Sequence, residues 1–269
     1  MLIKWKKCSN CDGYHDPTLE KCPHCHKHNE LYLNREISTH VAFLHPIAQI
    51  GMFLAGFSFV GMLLAELLSG TIFNAFVTDE LLWKTLTISF TYLLMFVGLA
   101  MIIISTRRDY FFKKYTRGLD YIYGLGYAVT LVLASSILGA LILIFHTPIN
   151  NENQKTAIDI ANGYPILAFV VMGLLGPICE ELTYRVGLYS FLRRINKWLA
   201  IIATALVFAF IHFSLDKDAN FIEELWSFPS YVLSGVILGL AYEHRGPACS
   251  MTAHIAYNIF AFALMFVPR

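Results

Sequence analysis

From Thr85 to Thr106, and again from Tyr121 to Phe145, the chain carries no charged residue at all. Each stretch exceeds the roughly 18–20 apolar residues that a helix needs to cross a bilayer. Inside hydrocarbon every backbone N–H and C=O must be satisfied within the segment, so such runs fold as helices. Composition agrees over the whole length. Of 269 residues 57% are hydrophobic and 14% charged, and the mean hydropathy is +0.56. The fold class expected is an all-α polytopic membrane protein with about seven transmembrane helices. The spans read as 43–68, 82–105, 120–145, 164–192, 198–214, 228–243 and 248–267. With a formal net charge of +1 there is no bulk electrostatic basis for nucleic-acid binding.

The first forty residues differ in kind. They are polar, lack a cleavable signal sequence, and hold four of the six cysteines as Cys8-x-x-Cys11 and Cys22-x-x-Cys25. Two such turns supply the four corners of a tetrahedral zinc site with no open position, which folds a segment too short for its own core. A structural zinc ribbon is the expectation, with Asp12-Gly13 and Cys22-Pro23 as turns beside the ligands. His24, His26 and His28 read as surface residues. The cysteine usage favours a reducing compartment. The domains expected are a cytoplasmic zinc ribbon and linker over 1–36, amino-terminal transmembrane helices over 37–163, and a catalytic transmembrane core over 164–269.

Loop charge sets the orientation. With the head inside, the loops on its side carry Arg107, Arg108, Lys113, Lys114, Arg117, Arg193, Arg194, Lys197 and Arg245, against Lys84, Lys155 and Lys217 opposite. This is the positive-inside bias, and it predicts a multi-pass cell-membrane protein with a cytoplasmic amino terminus. Gly173, Gly176 and Gly235-x-x-x-Gly239 are suited to close helix packing.

Charge within the fourth span demands a reason. Glu180, Glu181 and Arg185 follow the apolar run Ile166 to Ile178, and ionisable groups at membrane depth are expensive and mark functional sites. Glu181 and Arg185 are spaced i,i+4 and can pair, leaving Glu180 to face other polar groups. His212 lies 16 residues after Asn196, and Glu180 lies 16 before it. At about 1.5 Å per residue both sit some 20–24 Å from that turn on antiparallel neighbours. His254 and Asn258 share a face of the last span, roughly 10–17 Å from its beginning near Pro247. A carboxylate and an imidazole can take a proton from water and return it to a leaving amine, while a second imidazole and an amide suit an oxyanion. That inventory fits amide hydrolysis with water as nucleophile.

Glu180-Glu181-x-x-x-Arg185, Phe208-x-x-x-His212 and His254-x-x-x-Asn258 resemble the three motifs of the CPBP (CAAX-protease and bacteriocin-processing, or Abi) family over about the last 105 residues. The resemblance implies a glutamate-dependent intramembrane endopeptidase. In it Glu180 activates water with His212, His254 and Asn258 hold the oxyanion, and Glu181 and Arg185 support the site. Val186 stands where many members have glycine. Substrates so implied are prenylated carboxy-terminal peptides, leader peptides or membrane-anchored proteins. The ribbon lies outside the family core, and its possible roles are to recruit a protein partner, to gate access to the cavity or to cap the fold.

Other readings use the same residues. Glu180, His212 and His254 suit a catalytic zinc, although no His-Glu-x-x-His helix is present and the metal-free mechanism is favoured. A non-proteolytic immunity or scaffold protein would keep its effect without Glu180. Cys179 and Cys249 lie in apolar surroundings unsuited to a thiolate nucleophile, and no pair of matching broken helices suggests a transporter.

Overall fold

A computed structural model describes residues 6–8, 10–11, 13–16, 19, 21–27, 40–56, 59–147, 151–214 and 219–267. Residues 28–38 of the expected linker, His28 among them, together with Asp12 and Lys217, lie outside the described residues. A two-stranded antiparallel hairpin, β1 (Lys6–Lys7) and β2 (Tyr14–His15), carries the first pair of cysteines. The membrane part is helical: α1 Pro46–Ala55, α2 Phe59–Asn74, α3 Glu80–Lys113, α4 Gly118–Phe145, α5 Glu152–Gly163, α6 Pro165–Leu192, α7 Lys197–Phe210, α8 Phe221–Arg245 and α9 Pro247–Leu264.

Among the described residues four stretches are long and apolar enough to cross a membrane: Glu80–Thr106, Gly118–Phe145, Pro165–Leu192 and Phe221–Arg245. Pro46–Ala55, Gly61–Asn74 and Lys197–Phe210 are shorter apolar helices. The expected first span, 43–68, is therefore two helices rather than one. α1 ends at Gly56 and packs on α6, whereas α2 packs along α3. α3 continues to Lys113, past the expected 105, so Arg108 and Lys113 ride on its exposed end. Helix α5 has no counterpart among the expected spans. Its start is written in a capping box: Asn151 accepts from the Gln154 amide, and the Gln154 side chain accepts from Asn151 N–H. Asp79, Asn196 and Asn220 likewise cap α3, α7 and α8.

Two ends of the bundle can be told apart. At the head end the chain arrives at His40, which meets Arg117 at 3.4 Å. There Arg194 donates to the Leu44 carbonyl at 2.6 Å and to Gln49 at 3.1 Å. At the far end α4 stops and α8 starts, joined by His146 and Glu223 at 2.9 Å. Glu224 accepts there from the amides of Glu152 and Ser214. The turn from α8 to α9 is one residue, Gly246, at φ +81°, a conformation that L side chains rarely adopt. Pro247 then starts α9 where its missing N–H costs nothing. α7 and α8 meet at Gly235, where a Cβ would stand 2.7 Å from the Ala205 Cα. The main hydrophobic cluster is shared by both halves of the chain, from Val41 and Met52 through Leu99 to Tyr184, Ile201 and Tyr242.

Candidate active site

Helix α6 brings the carboxylates into place through an irregular backbone. Pro177 cannot donate a hydrogen bond, and the helix widens to i→i+5 bonding over Phe169–Leu175 and again over Glu181–Tyr189. Short widened turns of this kind are frequent at functional sites. Gly176 N–H bonds to the Val171 carbonyl. The next bond in that register would run from residue 177 to Met172, and proline has no N–H to make it. Asn258 fills the position: its Nδ2 donates to the Met172 carbonyl at 3.0 Å.

Glu180 and Glu181 are both buried, and one imidazole stands between them. His254 Nδ1 lies 3.1 Å from Glu181 Oε1, and His254 Nε2 lies 3.5 Å from Glu180 Oε2. Arg185 Nε is 3.5 Å from the same Glu181 oxygen, and its Nη2 donates to the Gly235 carbonyl at 3.3 Å. The guanidinium also sits over the Phe208 ring at 5.2 Å. Glu181 is thereby held by a cation and an imidazole, as a charge out of water requires. Glu180 faces a cavity of about 390 Å³.

His212 and Asn258 line that cavity together with Glu180 and His254. α7 stops at Phe210, so His212 sits in the closing turn rather than within a helix running to 214. Its Nδ1 is 2.7 Å from the Phe208 carbonyl, an acceptor only, so Nδ1 carries the hydrogen. Stacking on Tyr231 at 4.4 Å between centroids fixes the ring plane. The four residues thus come from three elements to one space, with Glu181 and Arg185 packed behind it. His254 is the imidazole found against Glu180, whereas the count of depth put His212 at the level of Glu180 and His254 a turn or two shallower.

The sequence reading passed over Tyr231, Trp226, Glu223, Ser230 and Ser234, which also line the cavity. The three-to-four-residue spacing of Glu223, Ser227, Ser230 and Ser234 on an otherwise apolar helix was the available signal.

The head gathers its own cluster. The sulfur atoms of Cys8, Cys11, Cys22 and Cys25 all lie within 4.8 Å of one another, with Cys8–Cys25 and Cys11–Cys22 at 3.8 Å. Four sulfurs at about 2.3 Å from a tetrahedral ion stand about 3.8 Å apart, so the cluster fits a metal ion. Burial opposes ionisation of Cys22, yet the Cys25 and His24 amides and the neighbouring sulfurs bring its thiol down to about 7. The Asn10 amide lowers Cys8. At Cys11 the Gly13 amide acts to lower the thiol, but burial and the adjoining sulfurs push it up to about 12.

Residues 162–260 match the family model described as type II CAAX prenyl endopeptidase Rce1-like, a segment that contains all seven residues named in the three motifs. Two curated proteins of Lactococcus lactis subsp. lactis (strain IL1403) are each 27% identical to this chain. UPF0177 protein YvdC aligns over 146 residues, 54% of this chain and 52% of its own length. UPF0177 protein YbdI aligns over 152 residues, 55% of this chain and 78% of its own. The chain therefore spans about half the length of YvdC. No solved structure matches. The similarity to the Rce1-like model thus lies in residues 162–260, the part of the membrane core that holds the candidate site.

Proposed function

We propose that the chain is an intramembrane endopeptidase that hydrolyses membrane-associated peptides or proteins with water activated by Glu180 and His212. The observation that carries this reading is the common cavity of Glu180, His212, His254 and Asn258 among membrane helices. With Nδ1 committed to the Phe208 carbonyl, His212 offers Nε2 to a water. Glu180 takes the proton as that water attacks the scissile carbonyl carbon, then delivers it to the departing amine. The oxyanion formed meets His254, which can donate from Nε2 when doubly protonated, and the second N–H of the Asn258 amide. Glu181 and Arg185 position His254: the carboxylate fixes Nδ1, and the guanidinium compensates the buried charge.

The head is proposed to be cytoplasmic, from the loop-charge bias, and to hold a structural zinc on Cys8, Cys11, Cys22 and Cys25. The proposed organisation is this head over 1–36, helices over 37–163 and the catalytic core over 164–269.

Cleavage of membrane peptides by the purified full chain tests the mechanism, comparing wild type with Glu180→Gln and His212→Ala. Both variants should lose the product, and wild type should keep it under a chelator that leaves the head metal bound. Undiminished cleavage by Glu180→Gln would overturn the glutamate mechanism, and loss under such chelation would point to a metal at Glu180, His212 and His254.

A further inference from the structure

The space around the carboxylates is closed on one side and open on the other. Towards the head end the volume is filled. Arg185, Tyr184, Tyr189 and Tyr242 are fully buried there. Tyr189 donates its hydroxyl to Glu243 at 2.8 Å, and the Ser190 and Tyr242 hydroxyls meet at 2.8 Å. Arg193 forks onto Glu243 through contacts of 2.7 to 3.0 Å. Of the residues that line the cavity, those nearest the head end are Leu238 and His254. Each lies eight residues from the α8–α9 turn at Gly246, about 12 Å in.

Towards the far end the cavity continues. Its lining runs out through Ser234, Ser230 and Ser227 on α8 to Trp226 and Glu223 in that helix's first turns. Gln154, exposed near the start of α5, marks the mouth. Beside it His146 stacks on Trp226 at 5.3 Å while bonded to Glu223. The hydroxyl-bearing wall lets water and an extended peptide backbone descend to Glu180 without stranding polar groups in hydrocarbon.

We infer that substrate and water reach Glu180 from the membrane face opposite the one that carries the cysteine head. The segment 28–39 joins the head to His40 and contains Glu30, Arg35 and Glu36. It is too short and too polar to cross a bilayer, so the head shares the face of His40. With a cytoplasmic head, the substrate is a secreted or membrane-anchored peptide whose scissile segment is presented at the extracytoplasmic face. A prenylated carboxy terminus in the cytoplasm would need a mouth on the head side. The substrate class rests on the protease reading; the direction of access does not.

Thiol labelling of the full chain tests it without turnover. Gln154→Cys at the mouth, Ser230→Cys and Ser234→Cys within, and Lys113→Cys as a head-end reference are each introduced. Right-side-out and inverted vesicles are treated with a membrane-impermeant maleimide, and labelled peptides are located by mass spectrometry. The cavity cysteines should react only in the vesicle orientation in which Lys113→Cys does not, and Lys113→Cys should react only in inverted vesicles. Reaction of Ser230→Cys or Ser234→Cys from the Lys113 face overturns the inference, as does silence of both from either face while Gln154→Cys reacts. Labelling of Lys113→Cys in right-side-out vesicles overturns the extracytoplasmic substrate. Failure of the protease reading would show instead as undiminished cleavage by Glu180→Gln.

Discussion

The two ends of this helical bundle use charge in opposite ways. At the head end basic groups are engaged and packed: Arg193 on Glu243, Arg194 on the Leu44 carbonyl, Arg185 on Glu181. At the far end the polar groups stand around a space, with Glu180 at its floor and Glu223 at its rim. The same helices supply both ends, and aromatic rings occur at both. Tyr184, Tyr189 and Tyr242 are fully buried in the first region. Trp226 and Tyr231 border the second, together with Ser227, Ser230 and Ser234. A packed region can hold His254 and Glu181 in one geometry, and an open one can admit a substrate; a hydrolase in a membrane requires both.

The largest effect should come from the open side. Glu180→Gln should lower cleavage by about 10²–10⁴-fold, the usual range for a lost acid–base group, with an unchanged melting temperature. A parallel fall in stability would mean that Glu180 belongs to the packed side. Next comes Arg185→Ala, which leaves Glu181 buried without its cation. A loss of about 3–5 kcal/mol is expected in detergent unfolding, and a loss below about 1 kcal/mol would refute the packed end as a stability centre. Gly235→Val should cost about 1–3 kcal/mol by overpacking against the Ala205 backbone, again read as unfolding free energy. At the rim, His146→Ala should cost about 1 kcal/mol, because the imidazole that it removes is partly exposed.

The smallest effect on the core should follow removal of the head metal. One metal ion per chain should be released to a chelator, with little change in core melting. Thiolates bind the ion, so protons compete with it. Cys11, pushed up to about 12, must surrender a proton on binding, and Cys22 is ionised only above about 7. Retention should therefore weaken as the pH falls, most steeply below about 7, in a chromophoric zinc-release assay. Retention independent of pH would argue against a thiolate site.

Much of the fold could be read in advance. Charge-free runs announced α3 and α4, the cysteine spacing announced the cluster in the head, and Gly235 announced a close helix approach without naming α7 as the partner. The break between α1 and α2 could not be read, because both pieces are apolar and only their different packing partners separate them. α5 escaped notice because its mean composition is polar, although its capping box lay in plain view at Asn151 and Gln154.

The candidate site divides in the same way. Counting 1.5 Å per residue along each helix put Glu180 and His212 at one depth and His254 a turn or two shallower, so the sequence by itself determined that polar groups of three helices lie at similar depths. A count along an axis carries no information about rotation around it. Tertiary packing decided the rest: the widened turns of α6 and the one-residue turn at Gly246 set how α6 and α9 face each other. That rotation put His254, not His212, between the carboxylates, and turned the serines of α8 towards a cavity with its mouth at the far end.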